Sequence, residues 1–211
     1  EIRLSLVGSE MCIRDRVQTS GGTLFLQPYD IGSVHVMFGS ELEIENNKSF
    51  AVTQQPDIAE FDVEDTRREI ILRSSCLSVT VNKKAGYISL LDKSGKLLLK
   101  EWPEKARMNV HGDSVNAYCR FQLQDEEALY GLGQFRDNLM NLRNAKRELV
   151  QFNTQAAVPV IYSTGKWGLF WDNPSRTIYA DNNAGMSFVS DYGRIVNYSV
   201  SYTHLRAHET K

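Results

Sequence analysis

Clustered carboxylates, glycine-rich segments, histidines, cysteines and a tryptophan pair are the places where this sequence could do chemistry. Asp62, Glu64, Asp65 and Glu69 lie close enough together for paired acid/base work, but Arg67 and Arg68 interleave with them, the pattern of a solvated strand edge. Tyr130-Gly131-Leu132-Gly133-Gln134 has the glycine content of a phosphate cradle. A dinucleotide fingerprint, however, needs a third glycine opening a helix inside a parallel βαβ unit, and Arg136 with the asparagines after it supplies neither. Gly165-Lys166 lacks both the upstream glycine and the following hydroxyl residue of a P-loop, so both glycine sites are expected to make turns. His35 and His111 have no ligand-spaced neighbour and no nucleophile signature nearby, so neither a metal nor a cofactor is implied. Cys76 and Cys119 are far apart and read as two buried structural thiols. Trp167 and Trp171 share a face of one strand and could stack on sugar if exposed, although the apolar run between them favours core or domain-interface packing.

The elements that would position these groups are strands. From Thr23 onward, short runs rich in Val, Ile, Leu, Phe and Tyr alternate with Gly, Asn, Asp, Ser or Pro clusters. The expected strands are Thr23 to Gln27, Ser33 to Phe38, Ala59 to Val63, Glu69 to Arg73, Leu77 to Asn82, Tyr87 to Leu91 and Lys96 to Lys100. They continue with Asn116 to Leu123, Glu148 to Asn153, Val158 to Tyr162, Trp167 to Trp171, Thr177 to Ala180, Met186 to Val189 and Ile195 to Tyr198. Leu77, Val79 and Val81 on one face with Ser78 and Thr80 on the other is what a half-buried antiparallel strand requires. Glycines in Asp92-Lys93-Ser94-Gly95, Ser163-Thr164-Gly165-Lys166 and Asp191-Tyr192-Gly193 mark tight connections. No segment sustains a 3.6-residue apolar period long enough for a packed helix, and Arg136 to Arg147, rich in asparagine, is expected to be an irregular loop. So many strands predict an all-β fold, a two-layer antiparallel β-sandwich, because one open sheet would leave a face and two edges uncovered.

Composition agrees. The chain has 211 residues, 42% hydrophobic and 24% charged, as one soluble globular domain requires. A net charge of -2 gives no footprint for nucleic acid, and no apolar run approaches the roughly 18 residues of a membrane span.

The block from Leu129 to Asn173 carries a resemblance. It holds, in order, Tyr130 to Gln134, Asn141-Leu142-Arg143, Asn153-Thr154-Gln155, Val158-Pro159-Val160, Ser163 to Gly168 and Leu169-Phe170-Trp171-Asp172-Asn173. This series resembles family 31 glycoside hydrolases, in which a Y-G-L-G-[EQ] segment leads through N-L-R and N-T-[EQ] to G-[LV]-[LF]-W-D-N; several matches in order are far more specific than any one. Gly22 to Phe38 and Ser49 to Val52 resemble the family's opening strands, with His35 where many members carry arginine, and Asp191 to Tyr198 resembles its last sandwich strand before the barrel.

The resemblance implies a galactose-mutarotase-like sandwich, followed in the complete enzyme by a (β/α)₈ barrel that carries an aspartate nucleophile and an aspartate acid/base. Retaining chemistry needs two carboxyls about 5 Å apart across the glycosidic bond; no segment here resembles the nucleophile strand, so no catalytic residue is carried over. The implied partner is the barrel of the same parent chain, and oligosaccharide substrate through it. A loop of the sandwich reaches over the barrel mouth in this family, which makes Asn153, Thr154 and Gln155 the candidate substrate-binding residues. The parent is expected to act on α-linked glucosides or xylosides, and the fragment alone to be inactive.

Both ends look foreign. Residues 1–16 and 200–211 resemble translated adapter sequence found at the ends of metagenomic gene calls, which leaves 17–199 as the expected sandwich. The rival functional reading is a free-standing carbohydrate-binding sandwich, which an aromatic content of 10% permits. An immunoglobulin-like interaction domain is disfavoured by size, since such domains hold about 100 residues, and by the lack of Cys–Trp–Cys spacing.

Overall fold

Alternating apolar residues pair into strands along most of the chain, and a computed structural model describes residues 3–6, 15–19, 21–53, 61–104, 106–111 and 114–202. The strands are β1 (Arg3–Leu6), β2 (Asp15–Thr19), β3 (Gly22–Asp30), β4 (Ser33–Gly39), β5 (Asp62–Asp65), β6 (Glu69–Arg73), β7 (Leu77–Asn82), β8 (Ile88–Asp92) and β9 (Leu97–Glu101). Then come β10 (Arg107–His111), β11 (Ser114–Gln122), β12 (Leu129–Gln134), β13 (Lys146–Leu149), β14 (Ala156–Ser163), β15 (Trp167–Trp171), β16 (Thr177–Asn182), β17 (Gly185–Ser190) and β18 (Val196–Tyr202).

They form two antiparallel sheets. One has eight strands in the order β1-β2-β3-β4-β18-β15-β14-β12; the other runs β13-β16-β17-β11-β9-β8-β7-β6-β5, with β10 paired to β11. Leu77, Val79 and Val81 all point into the space between the sheets, as the alternation requires. An aromatic layer fills the centre: Trp171 of one sheet stacks 5.3 Å from Phe188 of the other, and Tyr198 meets Phe121 edge-on at 5.4 Å. Polar tips in this layer are satisfied, since Trp171 Nε1 donates to Ser190 Oγ at 2.9 Å and Tyr198 Oη donates to Glu101 Oε1 at 2.7 Å. Glu101 is fully buried yet compensated by a two-point ion pair with Arg107 and by the Ile88 amide at 2.7 Å.

The structure corrects several expectations. Tyr130 to Gln134 is a strand rather than a turn. Gly131, Leu132 and Gly133 have φ of 118°, 62° and 95°, a bulge that presses β12 onto β14 while sending Leu132 into the core. A Cβ at Gly133 would sit 1.9 Å from the Ala156 carbonyl oxygen, so only glycine fits. The strand expected at Glu148 to Asn153 forms earlier, as β13, and β10 was not expected at all. A one-and-a-half-turn helix, α1 (Glu41–Asn46), also went unforeseen; it is capped by Ser40, whose Oγ accepts from the Glu43 amide at 3.3 Å. Cys76 is half-buried in the turn before β7, whereas Cys119 is fully buried as expected. The strand expected at Ala59 to Val63 appears as β5, residues 59–60 lying outside the described residues.

Of the two ends expected to be foreign, the front supplies β1, paired to β2, and the start of β2, paired in turn to β3, while 7–14 and 203–211 lie outside the described residues, as does the His111 side chain.

Candidate functional site

Between Leu149 and Ala156 the chain crosses from one sheet to the other, and the residues singled out from the sequence sit on that crossing. The turn is closed by the Gln155 amide donating to the Phe152 carbonyl at 3.1 Å. Gln151 clamps it from below: its Nε2 donates to the Gln155 carbonyl at 2.9 Å, and its Oε1 accepts from the Ala157 amide at 3.3 Å. Asn153 and Thr154 are exposed and Gln155 is half-buried. The Asn153, Thr154 and Gln155 side chains make no hydrogen bond among the described residues. Thr154 has φ of 73°, a left-handed conformation that a β-branched residue adopts at a cost on the order of 1 kcal/mol or more. The structure therefore brings the three residues together at one end of the sandwich, in a strained turn, with free donors and acceptors turned to solvent.

Beside the base of this turn lies a cleft of about 340 Å³, lined by Leu149, Gln151, Ala157, Pro159 and the segment 173–177. Its floor is ordered by Asn173, whose Oδ1 accepts from the Ser175 amide at 2.8 Å and hydroxyl at 2.7 Å.

Other chemical candidates resolve into structure. Trp167 and Trp171 are fully buried, which rules out a sugar platform at that pair. The β5 carboxylates lie on an exposed sheet edge, where Arg73 meets Glu64 at 3.0 Å and Lys83 pairs with Asp65. No cluster of three or more metal-ligating side chains occurs among the described residues. His35 is buried on the outer face of the eight-stranded sheet. Its Nε2 bonds Asn197 Oδ1, and because Asn197 Nδ2 donates to Asp172 Oδ2 at 3.2 Å, that network assigns the imidazole proton to Nε2. Burial lowers the His35 pKa, opposed by the Asn197 bond and the Asp172 charge.

Sequence reasoning missed an apolar region next to the turn. Tyr130 of β12 and Val158 and Tyr162 of β14 are exposed, as are Leu139 and Met140 on the loop before β13. The signal was in β14 itself, whose eight residues AAVPVIYS carry no charge on either face.

Comparisons with known proteins meet this geometry directly. A model of the glycosyl hydrolase 31 N-terminal galactose mutarotase-like domain matches residues 23–179. The chain belongs to that family. An α-xylosidase of Saccharolobus solfataricus is 26% identical over 175 residues, covering 78% of this chain and 24% of the relative. An uncharacterised family 31 glucosidase of Pseudescherichia vulneris is 26% identical over 57% of this chain and 27% of its own length. Among solved structures, a GH31 α-xylosidase from a soil metagenome superposes with a TM-score of 0.84 at 22% identity, over 96% of this chain and 32% of that one. A GH31 α-xylosidase from Xanthomonas citri does so with a TM-score of 0.70 at 28% identity, over 85% and 19%. The galactose mutarotase-like domain thus spans a third or less of each of these relatives, and in the family it is one part of a larger chain that also carries a catalytic domain.

Proposed function

We propose that this galactose mutarotase-like domain is the non-catalytic N-terminal sandwich of a retaining α-glycosidase, supporting and partly shaping the active site of a (β/α)₈ barrel in the same polypeptide. Its parent would hydrolyse α-linked glucosides or xylosides. The observation that carries this reading is the family match at 23–179 within relatives named as α-xylosidases and glucosidases, of each of which this chain covers a third or less. The site geometry agrees, because the groups this domain offers are suited to holding a hydroxyl, not to attacking an anomeric carbon. The Asn153 carboxamide and Thr154 hydroxyl are free, neutral donors and acceptors on a clamped turn. A strained β-branched residue held in place by its surroundings is the kind of local cost that persists at ligand clamps.

The test uses the uninterrupted reading frame. The complete protein should release xylose or glucose from α-linked aryl glycosides, and the 211-residue chain should release neither and show no glycan binding by calorimetry. Glycan binding by the chain alone would favour the free-standing module instead. In the complete enzyme, the double change Asn153→Ala and Thr154→Ala is expected to lower kcat/KM about tenfold, the loss of one or two net hydrogen bonds. Thr154→Gly should raise the melting temperature by relieving the positive φ while still lowering kcat/KM. An unchanged kcat/KM in both variants would remove the turn from the substrate pocket.

A further inference from the structure

We propose that the bare half of the outer face of the eight-stranded sheet, with the loop that wraps its edge, is the seat on which the catalytic domain of the same polypeptide docks. This rests on the reading of the chain as an N-terminal support domain and adds which surface makes the contact.

The face is built for burial. In β14, positions 157, 159, 161 and 163 turn toward the core, leaving Ala156, Val158, Val160 and Tyr162 outward. A strand whose outer face meets water carries polar residues there; this one offers aliphatic side chains and a single phenol. Tyr130 lies directly opposite Tyr162 in the β12–β14 register and extends the surface to the sheet edge. Gly168, next in the same row, makes room for the Tyr162 ring, since a Cβ there would stand 3.1 Å from its Cδ1. The ring consequently lies over Gly168 and leaves Tyr162 about half exposed.

Over the edge of β12 the surface continues as a fixed knob. Met140 is 79% exposed and Leu139 49%, yet the backbone beneath them is tied down. Asp137 accepts from Arg147 Nε at 2.8 Å and from its Nη2 at 2.7 Å, Nη2 also donates to the Leu139 carbonyl at 2.9 Å, and the guanidinium lies 4.6 Å over the Phe135 ring. Arg147 is itself buried. Between knob and strand runs a cleft of about 480 Å³. Preorganised apolar knobs beside a groove lower the entropy lost on association, so the arrangement favours a protein surface as occupant.

Two observations identify that occupant as the rest of the chain. Two thirds or more of each matched relative lies outside the region this domain covers, and a tether holds a folded body of that size at a high effective concentration beside the bare face. The last strand also points the way. β18 carries Ser201 in the row Ser201–Gly168–Tyr162–Tyr130 and is separated from β14 only by β15, so the last described strand ends beside the bare face.

The experiment places Tyr162→Asp and Met140→Asp in the complete enzyme, with Leu42→Asp on α1 as an exposed control elsewhere. Each docking-face variant should split a single thermal transition into two and lower kcat/KM by about tenfold or more, as loss of an interface anchor does, while Leu42→Asp leaves both unchanged. The same two changes in the 211-residue chain should shift its melting temperature by no more than about 2 °C, which separates undocking from misfolding. One transition and wild-type kinetics in an active parent would overturn the docking seat. A parent with no activity on α-glycosides would instead overturn the functional reading beneath it. A wild-type chain that forms a stable dimer broken by Tyr162→Asp would assign the face to a second copy and overturn the proposal.

Discussion

The outer face of the eight-stranded sheet has two halves that solve the same problem differently. Over β3 and β4, Phe25 and Met37 are covered by Ile44 of α1 and by Ile195, a small local core built from the domain's own chain. Over β12 and β14, Tyr130, Val158 and Tyr162 have no such cover among the described residues. Both halves sit on buried inner-face residues, Leu24, Leu26, Val34 and Val36 under the first and Leu129, Leu132 and Ile161 under the second, so what separates them is chiefly the supply of a lid. A domain that makes a helix for one half and leaves the other bare has, on our reading, an outside partner for the second.

The comparison is sharpest where the inner face is probed first. Trp171→Ala, on the inner face of β15 next to the bare half, should cost about 3–5 kcal/mol in urea unfolding, because a fully buried indole stacked on Phe188 leaves a large cavity; a loss under about 1 kcal/mol would mean that the sheet beside the bare half is loosely packed. Ile44→Ala, on the lid, should cost about 2 kcal/mol by the same measurement. Ser40→Ala removes the cap of α1 and should cost about 1 kcal/mol. His35, on β4 in the covered half, gives a pH-dependent difference. Its folded pKa is lowered below an unfolded value of about 6.5, so the unfolded chain binds the extra proton as pH falls. The stability due to neutral His35 is therefore complete above about pH 6.5 and declines below it, and the melting temperature of wild type minus that of His35→Gln should shrink from pH 7 toward pH 5, whereas a flat difference curve would show that the imidazole does not titrate there. The smallest effect is expected at the bare face, where Val158→Ser in the isolated chain should change stability by no more than about 0.5 kcal/mol.

How far these features could be read from the sequence depended on whether one strand's own pattern contained them. The Leu77–Val81 alternation and the hairpin glycine at Gly95 are local, and the strands and turn formed there. The order of the sheets is not local: β13 and β14 are consecutive but lie in different sheets, a choice made by core packing between segments far apart in sequence. Y-G-L-G-Q misled because glycines at positive φ serve a bulge as readily as a turn, and only the approach of Ala156 tells them apart. The helix was missed by demanding a long apolar period, although Ser40 with Glu43 is a capping-box pattern visible in the sequence. At the candidate site, the family resemblance picked out Asn153 to Gln155 as a group, but the strain at Thr154 and the clamp by Gln151 arise from backbone geometry that residue types do not encode.

Hydroxyl-radical footprinting of the complete enzyme beside the 211-residue chain tests the central claim most directly, because it reads the exposure of individual side chains in both. Tyr130, Met140 and Tyr162 are expected to react in the chain and to be protected in the complete enzyme, with Leu42 and Phe50, exposed elsewhere, reacting equally in both. Equal reactivity of Tyr130, Met140 and Tyr162 in the two proteins would contradict the account.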